Sequence, residues 1–88
     1  METELQEFFK RLDFKTKERG DVIASKIFER HDGNSITRVW IEAYRGEVHY
    51  SLVFGLTTRS VEDLKYLAEI LNNVLEDYAR ARGFKRVV

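Results

Sequence analysis

The residue types that could do chemistry gather between Arg38 and Phe54. Nucleophilic catalysis of the Ser-His-acid kind needs a base beside an activated hydroxyl, and His49, Glu42 and Ser51 supply the three types. No loop that would stabilise an oxyanion accompanies them, so the trio reads as a solvated polar surface. His31 and His49 are the two histidines, and without cysteine or an HExxH spacing they imply no metal site. Gly55-Leu-Thr-Thr-Arg-Ser60 has one glycine and no lysine, which does not make a phosphate loop. Glu42 is followed by Ala43 and Tyr44, so the Glu-x-Lys pattern of many nucleases is missing. The expectation is a protein that is not an enzyme, with no cofactor and no small-molecule substrate.

What remains is stacking. Trp40 and Tyr44 fall on one side of a strand, flanked by Arg38 and Arg45, with His49 on the neighbouring run. A base stacked on an aromatic side chain gains roughly 1 to 3 kcal/mol whatever its identity, so such a platform holds single-stranded DNA or RNA without reading sequence. Lys15, Lys17 and Arg19, from the one locally basic segment, are placed to neutralise phosphates at its edge. The same rings would equally suit a buried face, under an N-terminal helix or another subunit, because Trp and Tyr favour interfaces.

The elements that must carry these residues can be read from periodicity. Leu5, Phe8, Phe9 and Leu12 repeat at helical spacing after Thr3, whose partner Gln6 completes a capping box, which predicts a helix over 4–12. Val, Ile and Phe enrich 22–31, a first strand that stops at the turn Asp32-Gly33-Asn34-Ser35. Two alternating runs, 36–45 and 47–54, flank Arg45-Gly46 as a hairpin. Pairing Tyr44 with Glu47 sets Ala43 opposite Val48, Ile41 opposite Tyr50, Val39 opposite Leu52 and Thr37 opposite Phe54, an apolar inner face. Glu42 and His49 then become neighbours on the outer one. The first strand admits two registers: a bulged turn sets Phe28 beside Trp40 and Lys26 beside Glu42, and a regular one brings Ile23 and Ile27 to that face.

A second helix opens at Ser60, with Asp63 three residues on, and runs to Gly83. At ~1.5 Å per residue it is roughly 35 Å long. Leu64, Leu67, Leu71, Val74 and Tyr78 form a stripe that Val61, Ala68, Ile70, Leu75 and Ala79 widen to about half the circumference, more than one supporting sheet needs. Either the N-terminal helix or the same helix of a second subunit covers the excess, the latter making a homodimer whose interface includes Leu64, Leu67, Leu71, Val74 and Tyr78. The predicted fold is α+β: a single domain spanning 1–88, with a three-stranded antiparallel sheet flanked by a short N-terminal and a long C-terminal helix (α-β-β-β-α).

Composition sets the remaining bounds. With 88 residues, 43% hydrophobic, the chain suits one modest core. Fifteen basic against 15 acidic residues give formal neutrality, so any hold on a polyanion must be local. The absence of cysteine fits a reducing cytoplasm, the acidic start rules against a signal peptide or membrane span, and the many Lys, Arg and Glu residues fit a thermophile.

The stretch RVWIEAYRGEVHYSLVFGLTTRSVEDLKYLAEIL, Arg38 to Leu71, resembles the hairpin, short loop and helix of archaeal ThermoDBP-type and coactivator-type single-stranded DNA-binding proteins. The element order is also that of the double-stranded RNA-binding domain, but Ser60-Val-Glu-Asp-Leu-Lys65 holds two acids where that family carries cations. The resemblance to the single-strand binders covers about 40% of the chain. It implies that Arg38, Trp40 and Tyr44 contact nucleic acid and that Leu64, Leu67, Leu71 and Val74 help form a subunit interface. Glu29, Glu42 and Glu47 make this sheet less basic than is usual in those families.

Overall fold

The computed structural model describes residues 2–88, in the order α1 (Glu2–Arg11), β1 (Lys15–Thr16), β2 (Val22–Asp32), β3 (Ser35–Arg45), β4 (Tyr50–Thr57) and α2 (Val61–Ala81). The chain divides into two compact units, one ending at Thr57 and one running from Thr58 to Val88. The first unit is α1 with a wholly antiparallel sheet ordered β1-β2-β3-β4.

The sheet therefore has four strands, where three were expected. The additional one, β1, pairs Lys15 with Ser25 and Thr16 with Ala24. Two polar residues cannot display an alternating pattern, so nothing in the sequence marks them as a strand. The first helix spans Glu2–Arg11, which moves Thr3 from the expected cap into the first turn. It ends as Asp13, at φ 64°, turns the chain so that Phe14 N–H bonds Phe9 O at 2.9 Å.

β2 and β3 meet across Gly33-Asn34, with Asp32 paired to Ser35 and Gly33 at φ 62°, a left-handed conformation that costs glycine little. This tight turn selects the second of the two registers: Ile27 lies beside Trp40 and Ser25 beside Glu42, while Lys26 and Phe28 face the other way. The irregularity falls instead between Val22 and Ala24, where the bulged Ile23 is wholly buried.

The β3–β4 register also differs from the expected one. Ala43 pairs with Leu52, Ile41 with Phe54 and Val39 with Leu56, joined by a four-residue loop over 46–49 that Gly46 N–H closes on His49 O at 2.8 Å. Each partner lies four residues further along than the two-residue loop would give. Because side chains alternate with a period of two, this even shift leaves every residue on its expected face. It also carries Gly55, expected to end the strand, into its interior.

The inner face bears Ala24, Lys26 and Phe28 of β2, Val39, Ile41, Ala43 and Arg45 of β3, and Tyr50, Leu52 and Phe54 of β4. α1 packs on one end of it, where Phe9, Ile23, Ala24 and Ala43 form the buried core with Leu5 and Phe14 against them. Arg45 fastens this end: its guanidinium bonds the Glu2 carboxylate at 2.8 Å and donates to the carbonyls of Lys17, Gly20 and Val22. The rest of the inner face is bare within this unit, leaving Leu52 69% exposed and Phe28 61% exposed.

The second unit is dominated by α2. Ser60 is extended and its hydroxyl accepts Asp63 N–H at 3.1 Å, a cap worth about 1 kcal/mol. Gly83, at φ 75°, follows the last turn. None of the helix's 21 residues is buried.

Candidate nucleic-acid interface

The outer face of the sheet is assembled row by row from the register. Trp40 stands between Ile27 and Gly55, Glu42 between Ser25 and Val53, Tyr44 between Val22 and Ser51, and Arg38 between Glu29 and Thr57. Lys15 joins the Ser25–Glu42 row from β1. No other element of this unit covers the face, because α1 lies on the opposite one.

Trp40 has a defined seat. A methyl carbon built on Gly55 would stand 2.1 Å from both Cε2 and Cζ2 of the indole and 2.7 Å from Cη2. Approach in the ring plane would leave Cη2 much farther off, so Gly55 lies beneath the ring face. The six-membered ring is spread over the neighbouring strand, with one π surface against Gly55 and the other directed away from the sheet. Only glycine leaves room for it.

Tyr44 lies four residues along β3, about 13 Å away at strand spacing. Its hydroxyl donates to Glu42 Oε1 at 2.8 Å, which holds the phenol in its neutral form and raises its pKa. Arg38 is engaged as well: its Nε donates to Glu29 Oε2 at 2.6 Å. That hydrogen bond, more than any other influence, holds the Glu29 carboxyl below its usual range, with His31 Nε2 a further 3.5 Å contact. The face thus carries Lys15 and Arg38 against Glu29 and Glu42, and its cations and anions balance locally.

The expected site residues divide accordingly. Arg38, Trp40, Tyr44 and Lys15 share the outer face. Arg45 lies on the inner face, its side chain 19% exposed and committed to Glu2 and three carbonyls. His49 sits in the β3–β4 loop, and Glu42 faces Val53 instead, so the His-Glu-Ser trio is not brought together. Lys17 follows β1 with its N–H on Ile23 O and its own carbonyl accepting Gln6 and Arg45, while Arg19 is exposed in the turn before β2. On α2, Leu64, Val74 and Tyr78 are exposed and Leu67 and Leu71 half-buried.

Two participants were not evident beforehand. Gly55 looked like punctuation, although a glycine inside an apolar strand signals a close approach from above. Ile27 belonged to the register left open. A second feature, a cleft of about 650 Å³ on the inner face, is lined by Leu5, Phe8 and Phe9 of α1 and Ala43, Tyr50 and Leu52 of the sheet. Among the described residues no group of three or more His, Cys, Asp or Glu could hold a metal, and no helix is long and apolar enough to cross a membrane.

Fold and face together define an α+β module with one side of its sheet packed on a helix and the other covered by no element of the same unit. No protein-family model matches the chain, and no curated protein or solved structure shows significant similarity to it.

Proposed function

We propose that this protein binds single-stranded nucleic acid without chemistry, acting as a homodimer. The observation that supports it is the half-buried Trp40 indole, laid flat over Gly55, whose other π surface faces away from that strand and would take a base. Tyr44 supplies a second ring on the same face, and Lys15, Arg38 and the nearby Lys17 and Arg19 supply local phosphate contacts. Glu29 and Glu42 offset those cations, so stacking carries most of the affinity. The homodimer reading rests on the α2 stripe of Leu64, Leu67, Leu71, Val74 and Tyr78, which has no buried member.

The test is a titration of the single tryptophan with an unstructured oligonucleotide. Quenching that added salt reverses is the expected outcome, with log K falling by about 0.7 per decade of salt for each phosphate neutralised. An emission spectrum unchanged at high oligonucleotide concentration refutes the proposal. Light scattering should give at least twice the chain mass, and Leu71→Glu should break the α2 contact or unfold the chain.

A second reading, a homo-oligomeric protein-interaction module with no nucleic-acid contact, is favoured by the bare inner face around Leu52 and Phe28. It predicts self-association with an unresponsive Trp40.

A further inference from the structure

The two edges of the sheet are built differently. β2 is covered by β1 only at Ala24 and Ser25, and the length it leaves uncovered carries Lys26, Glu29, Arg30, His31 and Asp32. Charges of this density are how natural sheets keep a free edge from recruiting another strand. β4, at the opposite edge, pairs only with β3 and reads YSLVFGLT, eight residues without a charge or a proline. Within the sheet its outward N–H and C=O groups have no strand beside them. A long, uncharged edge strand is a template for β-pairing.

We propose that β4 is an assembly edge that pairs antiparallel with β4 of a second copy, joining two four-stranded sheets into one of eight strands. Self-pairing suits this strand better than capture of a foreign peptide. An antiparallel seam is two-fold symmetric, so one sequence can supply both sides, and a strand with no charge meets no like-charge repulsion from its own copy. The strand offers a foreign peptide no charged side chain by which to be selected. The seam also meets a need already visible on the inner face. Tyr50, Leu52 and Phe54 alternate toward that side of β4, and Tyr50 and Leu52 are more than half exposed. Pairing brings the copies' side chains to about 5 Å across the seam, where they cover one another. On the outer face the same seam makes one continuous surface bearing two Trp40 rings, each rooted in β3 and lying over Gly55 of the strand at the joint.

The chain has no cysteine, so each introduced one reports alone. Single Cys variants at Ser51, Leu52, Val53 and Phe54, with Glu29→Cys on the β2 edge as control, are oxidised and resolved as covalent dimers. The expected result is efficient linkage within β4 that peaks at the position nearest the two-fold axis, and none at Glu29. Leu52→Lys should abolish β4 linkage when combined with Val53→Cys, and mixing it with the matching Leu52→Glu chain should restore it, a rescue that simple unfolding would not show. The proposal is overturned if β4 positions link no better than Glu29, if a foreign peptide occupies the edge instead, or if the charge-swapped mixture stays unlinked. A dimer held by α2 alone gives that negative result and leaves the oligonucleotide titration unaffected.

Discussion

Trp40 and Gly55 are complementary: the indole covers the one strand residue that has no side chain, with two ring carbons 2.1 Å from where a Cβ would be. The contact fixes a large aromatic ring on a face that no other element of its unit covers, and holds its plane against the sheet.

Gly55→Ala should therefore displace the ring rather than fill a gap. Overpacking of this kind costs about 1 to 3 kcal/mol, and a bulkier Gly55→Val should cost more. Because the chain has one tryptophan, near-ultraviolet circular dichroism and emission wavelength report the movement directly, beside a lowered Tm. Unaltered spectra in a folded Gly55→Val protein would contradict the seat described for Trp40.

Glu2 and Arg45 should make α1 sensitive to acid. The hydrogen bond from Arg45, ahead of the opposing effect of desolvation, lowers the Glu2 pKa from its ordinary value. A depressed folded-state value means that the stabilisation is fully present above the ordinary carboxylate pKa and is lost as pH falls through the folded one. Tm followed from neutral pH downward should show this loss, and Glu2→Gln should flatten that part of the profile. An identical pH profile in Glu2→Gln would show the pair to be without effect on stability.

The core is small enough that single truncations should be severe. Phe9 and Ile23 are two of its four buried residues. Phe9→Ala should cost about 3 to 5 kcal/mol and Ile23→Ala about 2 to 5, a large share of what a domain of this size holds in reserve. Urea unfolding should lose most of its native baseline in either variant, whereas Leu12→Ala, at a site 47% exposed, should shift the midpoint little.

Tyr44 should ionise at higher pH than an ordinary phenol, because its hydroxyl donates to Glu42. In Glu42→Gln the acceptor becomes neutral, and the phenolate should appear earlier in an alkaline absorbance titration. A Tyr44→Phe control assigns the change among the four tyrosines.

Much of this arrangement was legible in the residues. Alternation in 36–45 and 47–54 divided the side chains between two faces, without telling which face α1 covers, and that division survived an error in the loop because the error was even. Ser60 and Asp63 marked the start of α2 through a bond that forms as expected. Two failures had a common cause, in that short polar segments carry no periodicity. β1 consists of Lys15 and Thr16, and the four residues of the β3–β4 loop resemble the strand ends beside them. Arg45 was misjudged for another reason. Its charge suggested solvent, whereas its parity with Ala43 placed it inside, where Glu2 and the carbonyls of Lys17, Gly20 and Val22 satisfy it.

The four-residue connection after Arg45 has a practical corollary for anyone reshaping this hairpin. Excising Glu47 and Val48 together would leave each later side chain pointing as it does now, with Tyr50 and Leu52 still toward α1 and Gly55 still under Trp40. Removing Val48 by itself, with the turn still four residues long, would turn the strand over, driving Ser51 and Val53 inward and lifting Leu52 and Phe54 onto the face that carries Trp40. Length here is constrained by oddness more than by size.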